Sequence, residues 1–291
     1  EEQAQGKPDR EHQQEMARLL ERERKQLTAI EALSDPKVLR CVMLGQPGSG
    51  KSSVLRYAAY RLAESFLSPE RLKETMPEWQ AGEMLSVLVP LALLAEPLPA
   101  RAQGGKLDDH VVAFVQAQVE WCAEMNGFAR RLWREARERG VLFLFDGLDE
   151  VAPEKRAVVK EAIDEFLSAR GKCRAVVTCR TYSYGDEKWK LEGWPAYNIE
   201  PLSRGEQQSF VRKWYDTLIQ NDDASRSLYE KKAQSLERAI FSGDARQLHQ
   251  ISGNPLLLTL IAIVHTHQEE LPRSRILIYR ECVNLLLLRW Q

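Results

Sequence analysis

With 291 residues and 44 % hydrophobic side chains, the chain can bury a real core in one domain of ordinary size plus a smaller second one. Its 41 basic and 42 acidic residues leave a formal net charge of −1, which excludes the concentrated positive surface that general nucleic-acid or anionic-membrane binding requires. The longest apolar runs, such as residues 141–145 and 285–288, are far too short to cross a bilayer and the charged N-terminus is no signal peptide, so a cytoplasmic location is expected.

Residues 1–9 are polar, and a charged helix with a narrow apolar stripe (Met16, Leu19, Leu20, Leu27, Ile30, Leu33) is predicted over 11–33; without sustained heptads it reads as a lead-in helix rather than a coiled coil. Ser34-Asp35-Pro36 stops it. A mostly apolar run at 38–44 then predicts a strand, followed by Gly45-Gln46-Pro47-Gly48-Ser49-Gly50-Lys51-Ser52, which satisfies G-x-x-x-x-G-K-[ST] at every fixed position. A helix is predicted over 51–66, because Val54, Leu55, Ala58, Ala59, Leu62, Ala63 and Phe66 recur at three- and four-residue intervals. Strand, loop and helix in this order form the phosphate-binding P-loop. Glycines at 45, 48 and 50 free the backbone to form a nest of N–H groups at the positive end of the helix, Lys51 balances phosphate charge, and Ser52 offers a hydroxyl to Mg²⁺.

Residues 69–82 read as irregular, 85–94 as a second buried strand, 96–105 as a loop, and 108–125 and 128–139 as helices. The run 141–145 has five consecutive apolar residues, the mark of a strand buried on both faces of a parallel sheet, and it ends in Asp146-Gly147-Leu148-Asp149-Glu150. An acid at the carboxyl end of such a strand lies where open α/β sheets bind ligands, so Asp146 is the candidate Mg²⁺ acid. A helix over 153–169 and a strand over 174–178 follow; the latter delivers Thr178, Cys179 and Arg180 to the same edge, with Arg180 the candidate sensor of a γ-phosphate. A last strand is predicted at 196–200.

Ser203-Arg204-Gly205-Glu206 is a capping box, and from there only helices are predicted: a long one with Phe210, Val211, Trp214, Tyr215, Leu218 and Ile219 on one face, then 225–241, 245–252, 255–265 and 275–291. Cys41, Cys122, Cys173, Cys179 and Cys282 form no C-x-x-C pair and fit buried thiols in a reducing compartment. His265 and His267 point to different sides of a helix with no third ligand nearby, so no metal is expected there. Tyr182, Tyr184, Trp189 and Trp194 lack basic neighbours and are read as loop packing rather than base stacking.

Together the GQPGSGKS loop, the DGLDE run, Thr178-Cys179-Arg180 and Gly253-Asn254-Pro255 resemble, in content and order, the NACHT family of STAND-class signal-transduction NTPases, relatives of the AAA+ ATPases; the likeness spans residues 35–290. It implies a three-layer α/β/α parallel sheet, a P-loop nucleotide-binding domain over 35–202 after a lead-in at 1–34, a small all-helical lid (helical domain 1) over 203–270, and the start of a winged-helix domain at 271–291. The nucleotide site it implies, for ATP or ADP with Mg²⁺, runs through Gly45, Gln46, Pro47, Gly48, Ser49, Gly50, Lys51, Ser52 and Ser53, with Pro255 near the adenine. Asp146 with Ser52 would hold the metal, and Asp149, Glu150 and Arg180 would join Asp146 in hydrolysis. The resemblance further implies self-association on activation, effector and sensor domains outside 1–291, and a role in immune or antiviral defence. A nucleotide-controlled switch with slow hydrolysis is therefore expected. The alternative is a constitutive enzyme, an AAA+-like motor or small-molecule kinase; motor relatives usually carry glutamate at the position of Gly147. No guanine motif N-K-x-D occurs, which favours adenine.

Overall fold

The computed structural model describes residues 27–99, 106–123, 127–185, 190–241, 246–268 and 275–288. Residues 141 to 145 are wholly buried, and the reason is their position in the sheet. Strand β3 (Leu142–Asp146) lies between β2 (Ser86–Pro90) and β4 (Arg174–Cys179); β4 in turn pairs with β1 (Arg40–Leu44), and β1 with β5 (Ala196–Asn198). All pairings are parallel and the order is β2-β3-β4-β1-β5, with Val42 opposite both Val177 and Ala196. The carboxyl ends of β1, β3 and β4 therefore lie side by side, which gathers residues 45, 146 and 179 at one edge although they are far apart in sequence.

Alternation along these strands divides the core in two. On one face Cys41, Met43, Leu142, Leu144 and Val176 meet Leu55, Ala58 and Leu62 of α2 (Lys51–Ser65), Leu72 of α3 (Pro69–Thr75) and Leu33 of α1 (Ala29–Ser34). On the other, Val87, Val89, Phe143, Phe145 and Val177 meet α4 (Leu91–Ala95), α5 (Leu107–Ala123), α6 (Phe128–Glu138) and α7 (Arg156–Ser168). Phe166 of α7 stands edge-on to Phe143 at 4.8 Å between ring centroids, a favoured aromatic geometry. The layers are thus α/β/α. At the opposite edge of the sheet the buried guanidinium of Arg174 donates from one nitrogen to three carbonyls, Leu33 at 3.2 Å, Asp35 at 2.6 Å and Val38 at 2.7 Å.

Four expectations are corrected. Thr28 caps α1 through a capping box with Glu31, so in the described part of the predicted 11–33 helix the helical run begins at Ala29, with Leu27 outside it. Residues 69–82 are not irregular throughout: Pro69 stands in the first turn of α3, where its missing N–H costs nothing. The run 85–94 is not one strand but β2 followed directly by α4, with Pro90 at the junction. Residues 153–169 open as a 3₁₀ turn, Pro153–Lys155, before α7 begins. The expected positions of Met16, Trp189 and the helix before 27 lie outside the described residues.

After the short α8 (Thr181–Tyr184) and β5, the chain is helical in every described element: α9 (Arg204–Asn221), α10 (Arg226–Phe241), α11 (Arg246–Ser252), α12 (Pro255–His267) and α13 (Arg275–Leu288). These pack around a third core of Val211, Tyr215, Leu236, Ile240, Leu258 and Ile261. Within it the Tyr215 hydroxyl and His265 Nδ1 lie 2.6 Å apart, and burial pushes the imidazole down to about 4, with the Lys232 charge adding to the effect. Lys232 Nζ meanwhile donates to the carbonyls of His265, Thr266 and Gln268 and closes the end of α12. Ser203 accepts from the Glu206 N–H while Glu206 accepts from the Ser203 N–H at 2.7 Å, the capping box read from the sequence. Ser203→Ala is expected to cost about 1 kcal/mol of stability. Urea unfolding monitored on the helical signal checks this; an unchanged midpoint would show the cap to be idle.

Candidate nucleotide site

The loop between β1 and α2 owes its shape to two glycines. Gly48 and Gly50 have φ of 75° and 93°, in the left-handed region that disfavours side chains. Gly45 has no such dihedral; a Cβ there would crowd the Ser49 hydroxyl, which would have to turn away. Among the described residues the backbone N–H groups of Gly48, Gly50, Lys51, Ser52 and Ser53 have no acceptor, as expected of a loop running into a helix N-terminus. They are donors available to an anion.

Lys51 Nζ donates to the carbonyls of Gly45 at 2.8 Å and Gln46 at 3.1 Å. Burial pulls its ammonium below the usual lysine range; the Asp149 carboxylate opposes that pull and Arg180 adds to it. Asp146, at the end of β3, accepts on one oxygen from two hydroxyls, Ser52 at 3.0 Å and Thr178 at 2.6 Å. The Thr178 hydroxyl itself accepts from the Gly147 N–H at 2.8 Å. Fully buried, Thr178 locks the acid in place.

Beyond Asp146 the chain turns at Gly147, φ 82°, into a 3₁₀ turn, Leu148–Glu150. Asp149 accepts from the Arg180 backbone N–H at 2.9 Å and pairs with its Nε at 2.8 Å. Glu150 is exposed, and its carboxyl lies where a Cβ on residue 147 would meet it at 2.9 Å. Burial pushes the Cys179 thiol up to about 12, so it is no nucleophile at neutral pH.

The helical part closes the site. Asn254 Nδ2 donates to the Pro47 carbonyl at 2.9 Å and the Leu256 N–H donates to the Gly48 carbonyl at 3.2 Å, while Asn254 Oδ1 caps α12 by accepting from Leu256 and Leu257. A Cβ on Gly48 would meet Asn254 Oδ1 at 2.8 Å and Leu256 Cβ at 2.9 Å, so this approach requires glycine. A cavity of about 390 Å³ results, lined by loop residues 47–53, by Asp146, Gly147, Asp149 and Glu150, by Thr178 and Arg180, and by Pro255, Leu256 and Thr259. Of the residues singled out in the sequence, Gly45 and Gln46 do not line it; they hold Lys51 from beneath. Sequence reasoning assigned no role to the Asn254 side chain or to Leu256 and Thr259, although an Asn immediately before a helix-opening Pro is a visible N-cap signal.

Hard oxygen donors Ser52 and Asp146, bonded to each other and with the acid fixed by Thr178, suit Mg²⁺, which is held by few protein oxygens alongside substrate phosphates. Among the described residues no group of three or more His, Cys, Asp or Glu forms a self-sufficient metal cage.

A parallel sheet in the order β2-β3-β4-β1-β5, a P-loop between β1 and α2 and an acid at the end of β3 define the α/β fold of the P-loop NTPases. Three solved structures are similar to the chain. The Walker-type ATPase PABY2304 of Pyrococcus abyssi is 14 % identical with TM-score 0.47, over 96 % of this chain and 74 % of its own. PCH-2 of C. elegans is 16 % identical with TM-score 0.42, over 95 % and 68 %. Cdc6p of Pyrobaculum aerophilum is 15 % identical with TM-score 0.36, over 91 % and 64 %. No protein-family model and no curated protein matches the chain. Among the described residues no helix is long and apolar enough to cross a membrane.

Proposed function

We propose that the chain binds ATP and ADP with Mg²⁺ and works as a nucleotide-governed switch of the NACHT type, hydrolysing ATP slowly. The observation that carries this reading is the direct bonding of the helical part to the P-loop, through Asn254 to Pro47 and Leu256 to Gly48. A loop that must shape itself around phosphates cannot do so without those bonds being felt by α12. Nucleotide identity is thereby coupled to the position of the helical lid.

In this reading the N–H groups of residues 48–53 and Lys51 bind the phosphate chain, Pro255 and Leu256 cover the base, and Arg180 contacts the γ-phosphate. Ser52 and Asp146 would hold Mg²⁺ there, and the metal would supply positive charge to the phosphates. Opening of the lid on triphosphate binding would expose surface for self-association, with effector and sensor domains outside this sequence and a defence role as in the family it resembles. The constitutive-enzyme alternative is disfavoured by Gly147, which stands directly after Asp146 where motor relatives usually carry glutamate, so that water activation passes to the acids of the following turn.

Turnover tests it. The unpartnered chain is expected to hydrolyse ATP below the median enzyme rate of about 10 per second. Asn254→Ala, which removes one neutral bond between lid and loop worth about 1 kcal/mol, is expected to raise that rate about fivefold by speeding ADP release. Turnover of the unsubstituted chain well above the median, with no trigger present, would sink the switch in favour of the constitutive enzyme.

A further inference from the structure

The DGLDE run carries two acids after Gly147, and the sequence gives them no order. The structure separates them. The Asp149 side chain is only 8 % exposed and both its oxygens serve one residue: Oδ1 accepts the Arg180 backbone N–H at 2.9 Å and Oδ2 pairs with Arg180 Nε at 2.8 Å. The turn that carries it is held from behind, where Arg156 donates to the carbonyls of Val151 at 2.7 Å and Asp149 at 3.3 Å. Asp149 is thus held on its side-chain and main-chain sides alike, with both carboxylate oxygens engaged by Arg180.

Arg180 is engaged only at Nε. Its terminal nitrogens have no partner among the described residues, its side chain is half exposed, and it lines the same cavity as Lys51. A guanidinium gripped at Nε keeps its planar fork of remaining N–H donors in one orientation, the arrangement suited to phosphate oxygens. Glu150, by contrast, is exposed and lines the cavity; its N–H donates to the Gly147 carbonyl at 3.0 Å, and its carboxylate has no hydrogen-bond or ion-pair partner among the described residues. Its carboxyl rests against Gly147, directly after the Asp146 acid.

We propose that Asp149 is a positioning residue that holds the Arg180 guanidinium toward the γ-phosphate of a bound nucleoside triphosphate, and that Glu150 is the acid that receives the proton of the attacking water. The proposal rests on the nucleotide reading above. In the step itself the water oxygen bonds to the γ-phosphorus as the bond from that phosphorus to the bridging oxygen breaks, and the electron pair leaves with the diphosphate. The water proton passes to the Glu150 carboxylate and from there to solvent. Asp149 gives and takes no proton.

Affinity for ATP and for ADP, measured by calorimetry on the full chain, separates the roles, because only a residue acting through Arg180 distinguishes the two nucleotides before any chemistry. Asp149→Ala is expected to weaken ATP about tenfold and to leave ADP unchanged, one charge-assisted bond to the γ-phosphate being worth about that factor. Arg180→Ala, at a half-exposed side chain that the fold does not need, is expected to do the same, and the double variant no more than either alone. Glu150→Gln keeps ATP affinity and loses turnover. An unchanged ATP-to-ADP ratio in Asp149→Ala and in Arg180→Ala, or losses that multiply in the double variant, would overturn the assignment. Failure of the unsubstituted chain to bind either nucleotide would remove the nucleotide reading, and this proposal with it.

Discussion

Lys51→Ala is expected to abolish tight nucleotide binding while leaving the fold intact. The ammonium sits under the loop with two N–H donors on the carbonyls of Gly45 and Gln46, one donor without a partner among the described residues, and burial drawing its pKa down. A phosphate chain would supply the negative charge that this partly buried cation lacks. Each charge-assisted bond lost to phosphate removes about 1.5–3 kcal/mol, so loss of two corresponds to a fall in affinity of at least about 100-fold. Little packing is lost, since the core on that face of the sheet is made by Leu55, Ala58 and Leu62 further along α2. Isothermal titration with ATP and ADP, beside a thermal melt, checks both halves. A folded variant that binds as well as the parent would remove the P-loop assignment.

Asp146→Asn is expected to lose Mg²⁺-dependent hydrolysis and keep most of the nucleotide affinity. The amide oxygen can still accept from Ser52 and Thr178, so the geometry at the end of β3 survives and only the charge is gone. Charge stabilisation by a catalytic metal is worth several kcal/mol; a loss of about 4 kcal/mol corresponds to a turnover lower by about 1,000-fold. The loop amides of residues 48–53 remain to hold the phosphates. Steady-state hydrolysis across a Mg²⁺ titration is the measurement. Equal turnover in both proteins would show that Asp146 is not the metal-site acid.

Much of this was legible before any coordinates because it depends on local pattern. The P-loop announces itself by glycine and lysine spacing, β3 by five apolar residues in succession, and α9 by the Ser203 and Glu206 box. Where the sequence misled, two local rules competed. Residues 69–82 read as irregular because proline breaks a helix interior, yet in a first turn Pro69 starts one; residues 85–94 are mostly apolar, and apolarity alone does not separate a buried strand from the buried helix that follows Pro90. Strand order was beyond reach, since it is fixed by which faces pack together. The pairing of Asp149 with Arg180, across 31 positions, and of Asn254 with Pro47, across 207, likewise exists only once the sheet edge brings β3, β4 and α12 together.

The triple grip of Arg174 has a mechanical meaning. The carbonyls of Leu33, Asp35 and Val38 belong to the segment by which the chain enters β1, and all three are tied to a residue at the start of β4. Tension applied from the N-terminal side would therefore load this shared set of charge-assisted contacts before it could peel β1 from its neighbours. The two strands that share this load are the one that leads into the P-loop and the one that carries Thr178, so a pull would reach the site as strain on a paired unit rather than as the unzipping of one strand.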